Sequence, residues 1–123
     1  MKKILILVLF LNFSNVMAGE FRTDFTKKAF KEAQNNGKTV VVYSWNKYCM
    51  TCAKQKPILN QARKDFDDVI FFSIEHVKNK ELVKDLNIDF WSTIVIYKNN
   101  KQIASAIGLT EKKQIYSLIQ KGI

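Results

Sequence analysis

Cys49 and Cys52 are the two cysteines of the chain, three positions apart, directly after a run of β-branched and aromatic residues. Where such a pair opens a helix, its Cα atoms lie about 5–6 Å apart, within the span that a disulfide bridges. The sulfurs can therefore join without moving the backbone. Cys49, at the helix N-terminus, meets unpaired amide N–H groups and the positive end of the helix dipole, both of which favour an anion. Thiolates in such positions have pKa values of roughly 3.5–7.5, against about 8.5 for a free thiol. Cys49 thus reads as a nucleophile, and Cys52, one turn deeper, as the thiol that attacks a mixed disulfide once Cys49 has formed it.

Two other uses of the pair stay open at this point. A purely structural disulfide stabilises most when it closes a long loop, and a bridge over two residues gains little in this way. Paired thiolates also suit Cu(I), zinc or an iron–sulfur cluster. One pair does not complete a tetrahedral site, and the lone His76 reads as a surface or helix-capping histidine rather than a third ligand. A two-coordinate Cu(I) site, or a cluster shared by two chains, is the form that this alternative would take.

The elements that must position the pair follow from periodicity. Phe25, Ala29, Phe30 and Ala33 recur at helical spacing, with Thr23 or Asp24 as the expected cap and Asn36-Gly37 as the stop. Thr39 to Trp45 is apolar on both faces (Val40, Val41, Val42, Tyr43), the pattern of a strand covered from both sides. Cys49 to about Lys64 favours helix, with Ile58, Leu59, Ala62 and Phe66 to one side and Pro57 part-way along as an expected kink. Val69 to Ile74 reads as a strand, Lys80 to Leu86 as a short helix, and Thr93 to Lys98 and Gln102 to Ile107 as a hairpin about Asn99-Asn100. Gly108 ends that pairing, and Thr110 is the expected cap of a last helix lined by Ile115, Leu118 and Ile119. The order α-β-α-β-α-β-β-α predicts one α/β domain, a mixed sheet with helices on both faces.

Lys2 and Lys3 precede the apolar run Ile4 to Leu11, followed by Asn12, Ser14 and then Val16-Met17-Ala18. This is the layout of a cleavable signal peptide, cut after Ala18, with an uncleaved anchor as the competing reading. The predicted organisation is a signal peptide over 1–18 and a domain over 19–123, exported and placed in a bacterial periplasm. Removing the two lysines lowers Lys+Arg from the chain's 20 to 18 against 11 acids, a net charge of +7 instead of +9. The lysines are scattered and not interleaved with aromatics, so nucleic-acid binding is not expected.

The segment Trp45-Asn46-Lys47-Tyr48-Cys49-Met50-Thr51-Cys52 resembles the tryptophan, aromatic and CxxC motif of the thioredoxin superfamily. Pro57, five residues past the second cysteine, the hairpin at Lys98-Asn99-Asn100 and the late Gly108 match it in order. The resemblance implies a thioredoxin-like three-layer α/β/α sandwich with a mostly four-stranded sheet. It further implies a thiol-disulfide oxidoreductase with Cys49 attacking and Cys52 resolving, and with Trp45 and Tyr48 packed beside the pair and shaping the partner surface. Met50 and Thr51 would tune the potential, Ser92 and Thr93 would stand in the substrate-facing loop, and Pro57 and Gly108 would be structural. No prosthetic group is implied beyond the cysteine pair. Partners would be cysteine-containing exported proteins and a membrane redox protein, met by a monomer.

Three departures from the family pattern bear on mechanism. Trp91-Ser92-Thr93 stands where the family has a hydrophobic residue, a cis-proline and a threonine. A cis bond before Ser92 would cost about 3 kcal/mol, so a trans bond or backbone strain is expected. In related proteins that proline keeps metals from the thiols, which bears on the metal alternative. A fold that survives as a non-catalytic interaction domain is a further reading of the same change. Tyr43 occupies the place of a buried aspartate that assists proton transfer, and Glu75 reads as a solvated strand-end residue. Finally, Met50-Thr51 is neither the glycine-proline of reducing members nor the proline-histidine of strong oxidants; the absence of a large helical insertion leans the reading towards reduction.

Overall fold

The strand before the cysteines is buried along six of its seven residues, and the computed structural model, which describes residues 24–123, shows why. In this strand, β1 (Thr39–Trp45), successive side chains point to opposite faces, and each face has its own core. Val41 and Tyr43 pack with Cys52, Leu59 and Ala62 of α2 (Met50–Asp65) and with Ile115, Leu118 and Ile119 of α4 (Lys112–Gln120). Val40 and Val42 pack on the other side with Ala33 of α1 (Lys27–Asn35) and Val83 of α3 (Lys80–Asp85).

The sheet is completed by β2 (Val69–Glu75), β3 (Thr93–Lys98) and β4 (Lys101–Ile107), in the order β2-β1-β3-β4. β2 runs parallel to β1, while β3 is antiparallel to both β1 and β4. This is the predicted three-layer α/β/α sandwich with a mixed four-stranded sheet. Asn99 and Asn100 close the hairpin at φ 53° and 62°, the two positive values that a type I′ turn requires. β4 carries one extra residue, Ile103, where the pairing passes from Ile96–Ala104 to Tyr97–Gln102. No helix among the described residues is long and apolar enough to cross a membrane.

Two expected caps are corrected. The cap of α1 is Thr26, whose hydroxyl accepts the Ala29 N–H at 3.1 Å; Asp24 lies too early, bridging to Ser73 at the edge of β2, and Thr23 is outside the described residues. Phe25 consequently precedes the helix, yet still packs on Phe30 and Phe72 at ring separations of 5.0 and 5.6 Å. At α4 the capping position is held by Glu111, without a side-chain bond, and Thr110 stands before it. The predicted signal peptide also lies outside the described residues.

The C-terminus closes the core at the end of the sheet remote from the cysteines. Thr39 donates its hydroxyl to the Gly122 carbonyl, and a Cβ at Gly122 would sit 2.5 Å from Thr39 Cγ2 and 2.8 Å from Ile96 Cγ2. Both atoms belong to buried β-branched side chains with little freedom to yield. Gly122→Ala should therefore destabilise the domain by about 1–3 kcal/mol, read as a lowered urea midpoint at unchanged slope.

Candidate active site

β1 ends by delivering the chain into a turn that Asn46 organises. Asn46 is buried, at 5% relative exposure. Its Oδ1 accepts the Tyr48 N–H at 2.9 Å, its main-chain carbonyl accepts the Cys49 N–H at 3.1 Å, and its Nδ2 donates to Glu75 Oε1 at 2.9 Å. Glu75 is thus a half-buried anchor at the end of β2, not the solvated residue expected, and its Oε2 has no partner. His76 also departs from expectation. Its ring does not cap the 3₁₀ turn that follows; Nδ1 lies 2.7 Å from Ser44 Oγ, tying the ends of β1 and β2 together.

Cys49 itself is the N-cap of α2, and its sulfur accepts the Cys52 N–H at 3.1 Å. The first turn of the helix contains no acidic residue. Cys49 and Cys52 are joined in a disulfide with their Cα atoms 5.2 Å apart, within the 5–6 Å range expected from helical spacing. Cys49 is half-buried and Cys52 only 4% exposed, so a partner's sulfur reaches Cys49 first. When the bond opens, the helix dipole and the Cys52 N–H both favour negative charge on the Cys49 sulfur.

A cleft of about 490 Å³ adjoins the pair, lined by Tyr43, Trp45, Cys49 and Cys52 and by the charged side chains of Asp24 and Lys56, among others. Trp45 packs against the core beside Cys49. Tyr48 does not pack beside the pair as expected; it is 75% exposed beneath the Lys47 ammonium, 5.0 Å from its ring centre. Met50 is also exposed, and Thr51 is half-buried. Pro57 lies inside α2 on its exposed side, where its missing N–H interrupts the hydrogen-bond ladder. Gly108, at φ 78°, ends β4. Among the described residues there is no group of three or more His, Cys, Asp or Glu side chains placed to hold a metal ion.

The loop before β3 is held in an unusual form. All peptide bonds here are trans, and Ser92 takes φ 57°, in the left-handed region. Thr93 secures the turn by donating its hydroxyl to the Phe90 carbonyl at 2.7 Å. Gln55, which the sequence reading did not single out, donates Nε2 to the Ser92 carbonyl at 3.2 Å and to the Leu109 carbonyl at 2.9 Å. Its position was readable: Cys52, Gln55, Leu59 and Ala62 form the buried stripe of α2. Asn46 carried a weaker signal, as a turn-forming residue at a strand end.

Tyr43 stands behind the pair, donating its hydroxyl to the Cys52 carbonyl at 3.1 Å. Burial pushes its pKa well above the ordinary tyrosine value, so it remains a neutral donor rather than a base for the Cys52 thiol. Because the folded pKa exceeds the unfolded value of about 10, the unfolded chain loses this proton first. The resulting stability is whole below about pH 10 and drains away as pH rises beyond it. Tyr43→Phe should cost about 1 kcal/mol at neutral pH and flatten the alkaline fall in urea midpoint.

With this geometry in place, the comparisons with known proteins are specific. Thioredoxin of Mycoplasma genitalium is 28% identical over 91 residues, which take in 74% of this chain and 89% of that protein. Thioredoxin H5 of Oryza sativa is 27% identical over 78 residues, 63% of this chain and 58% of the relative. The chain thus spans little more than half the length of that plant protein, and 56% of a relative from Arabidopsis thaliana. Among solved structures, Trxlp from Edwardsiella tarda EIB202 superposes with a TM-score of 0.74 at 21% identity, covering 78% of this chain and 95% of that one. The likeness there is one of fold. The sequence model of the family described as Thioredoxin matches residues 22–121, and the chain therefore belongs to the thioredoxin family.

Proposed function

We propose that the protein is an exported thiol-disulfide oxidoreductase that passes electron pairs to and from cysteine-containing proteins through Cys49 and Cys52. The observation that carries this reading is the Cys49 sulfur at the N-cap of α2, accepting the Cys52 N–H while its partner sulfur is buried. In the reducing direction the Cys49 thiolate attacks one sulfur of a client disulfide, and the other client sulfur leaves as a thiolate that takes up a proton. Cys52 then loses its proton and attacks the Cys49 sulfur. The Cys49–Cys52 disulfide forms, the second client thiol is released, and two electrons have passed to the client. The Tyr43 hydroxyl donates to the Cys52 carbonyl, and Cys52 lines the adjoining cleft, where solvent is on hand to take its proton.

Export is supported by the basic start, the apolar run Ile4 to Leu11 and the small residue Ala18 before Gly19. In that setting the clients are exported proteins, and the electrons are exchanged with a membrane redox partner. No large helical insertion stands among the elements of the described residues, which supports reduction as the working direction. The potential decides it: family members range from about −270 mV for reductants to about −120 mV for oxidants.

Cys49→Ser should abolish exchange with a protein disulfide, whereas Cys52→Ser should accumulate a mixed disulfide that reductant reverses on a non-reducing gel. Unchanged turnover in Cys49→Ser would sink the assignment. For the export reading, N-terminal sequencing of protein recovered from a bacterial host should begin at Gly19; a cytosolic chain still beginning at Met1 would overturn it.

A further inference from the structure

Gln55 is 0% exposed, on the inner face of α2 one turn beyond Cys52. A buried carboxamide is unfavourable unless its polar atoms are bonded, and here Oε1 meets no donor. An apolar side chain would fill the same site at lower cost, so the presence of an amide points to the work of its two hydrogens. Both are used: one goes to the Ser92 carbonyl and the other to the Leu109 carbonyl, at 3.2 and 2.9 Å. Reversing the carboxamide would set its oxygen against two carbonyl oxygens, so these partners fix its orientation.

The Ser92 carbonyl also accepts the Gly108 N–H at 3.1 Å. One oxygen therefore joins α2, the loop entering β3 and the end of β4. Ser92 is in the left-handed region at φ 57°, which non-glycine residues adopt at a cost and keep only where their surroundings determine it. The residues just before it, Phe90 and Trp91, are 61% and 37% exposed. Pairing of Ser44 with Thr93 sets this loop beside the end of β1, and so beside the turn that delivers Cys49.

We infer that Gln55 is a positioning residue that sets the Trp91-Ser92 loop against the sulfur pair, and that this placement governs how an extended cysteine-containing polypeptide is held at Cys49. Gln55 touches neither the sulfurs nor a client; it acts through the Ser92 and Leu109 carbonyls. The inference rests on the exchange reaction proposed above. A small dithiol needs no loop to reach Cys49, and this separates the two.

Gln55→Met keeps the length and apolar packing of the side chain and removes both donors. Its KM for a disulfide-bonded peptide should rise about tenfold, while kcat and the rate at which dithiothreitol reduces the Cys49–Cys52 disulfide stay within about twofold of the parent. Equal loss with peptide and dithiothreitol would show a merely structural role, and no loss with either would show no role; both overturn the inference. If the unaltered protein exchanges with neither, the oxidoreductase reading fails and this inference falls with it. Should Gln55→Met not fold, Gln55→Leu decides, because it too removes both donors and leaves an apolar side chain on the buried stripe of α2. Peptide KM should again rise about tenfold while the dithiothreitol rate stays within about twofold; an unchanged peptide KM would overturn the inference.

Discussion

The Cys49 sulfur accepts the Cys52 N–H, a place that an oxygen of serine, threonine, aspartate or asparagine usually fills at a helix start. The same atom therefore ends the loop, begins α2 and is the nucleophile of the exchange proposed above. Any change that loosens the first helical turn also removes a donor from the sulfur, and any charge placed on the sulfur tightens that turn. Local folding and activation are in this sense one contact, and the remaining structure holds the two chain segments that meet in it.

Those segments are held by different means. β1 is fixed by apolar burial on both faces and by seven registered positions along β2, an arrangement insensitive to the identity of any one side chain. Beyond Trp45 the backbone leaves the sheet, and side-chain amides take over: Asn46 organises the approach to Cys49, and Gln55 gathers the loops around Ser92 and Leu109. The working end of the molecule is thus a polar framework set on an apolar base. Tyr43 links the two, with its ring in the core and its hydroxyl on the Cys52 carbonyl.

The apolar base was readable in the sequence because periodicity reports burial directly. Val40 to Tyr43 announced a strand with two covered faces, and Asn99-Asn100 announced a turn with two positive φ values. Helix starts were less readable, since Thr23, Asp24 and Thr26 are all competent caps by residue type, and the last holds the cap with Phe25 packed against Phe30 and Phe72. The polar framework was the hardest part. A glutamine in a lysine-rich helix reads as a solvent-facing residue unless its place on the Cys52–Leu59–Ala62 stripe is noticed, and Glu75 at a strand end gives no hint that Asn46 will reach it. At Ser92 the missing proline foretold a trans bond or strain, but its left-handed backbone depends on carbonyl partners far away in sequence.

β4 is the outermost strand of the sheet, and its far side faces no other strand among the described residues. Such a margin offers a ladder of free amides and carbonyls to any extended chain that drifts past, which is how sheets become seeds for aggregation. The extra residue at Ile103 breaks the regular spacing of that ladder and turns the strand locally, while Lys101 adds charge at its start. In the exchange proposed above, cysteine-bearing chains come to the sulfur at one end of the sheet, and a margin out of step with an extended strand leaves them little to adhere to along the scaffold.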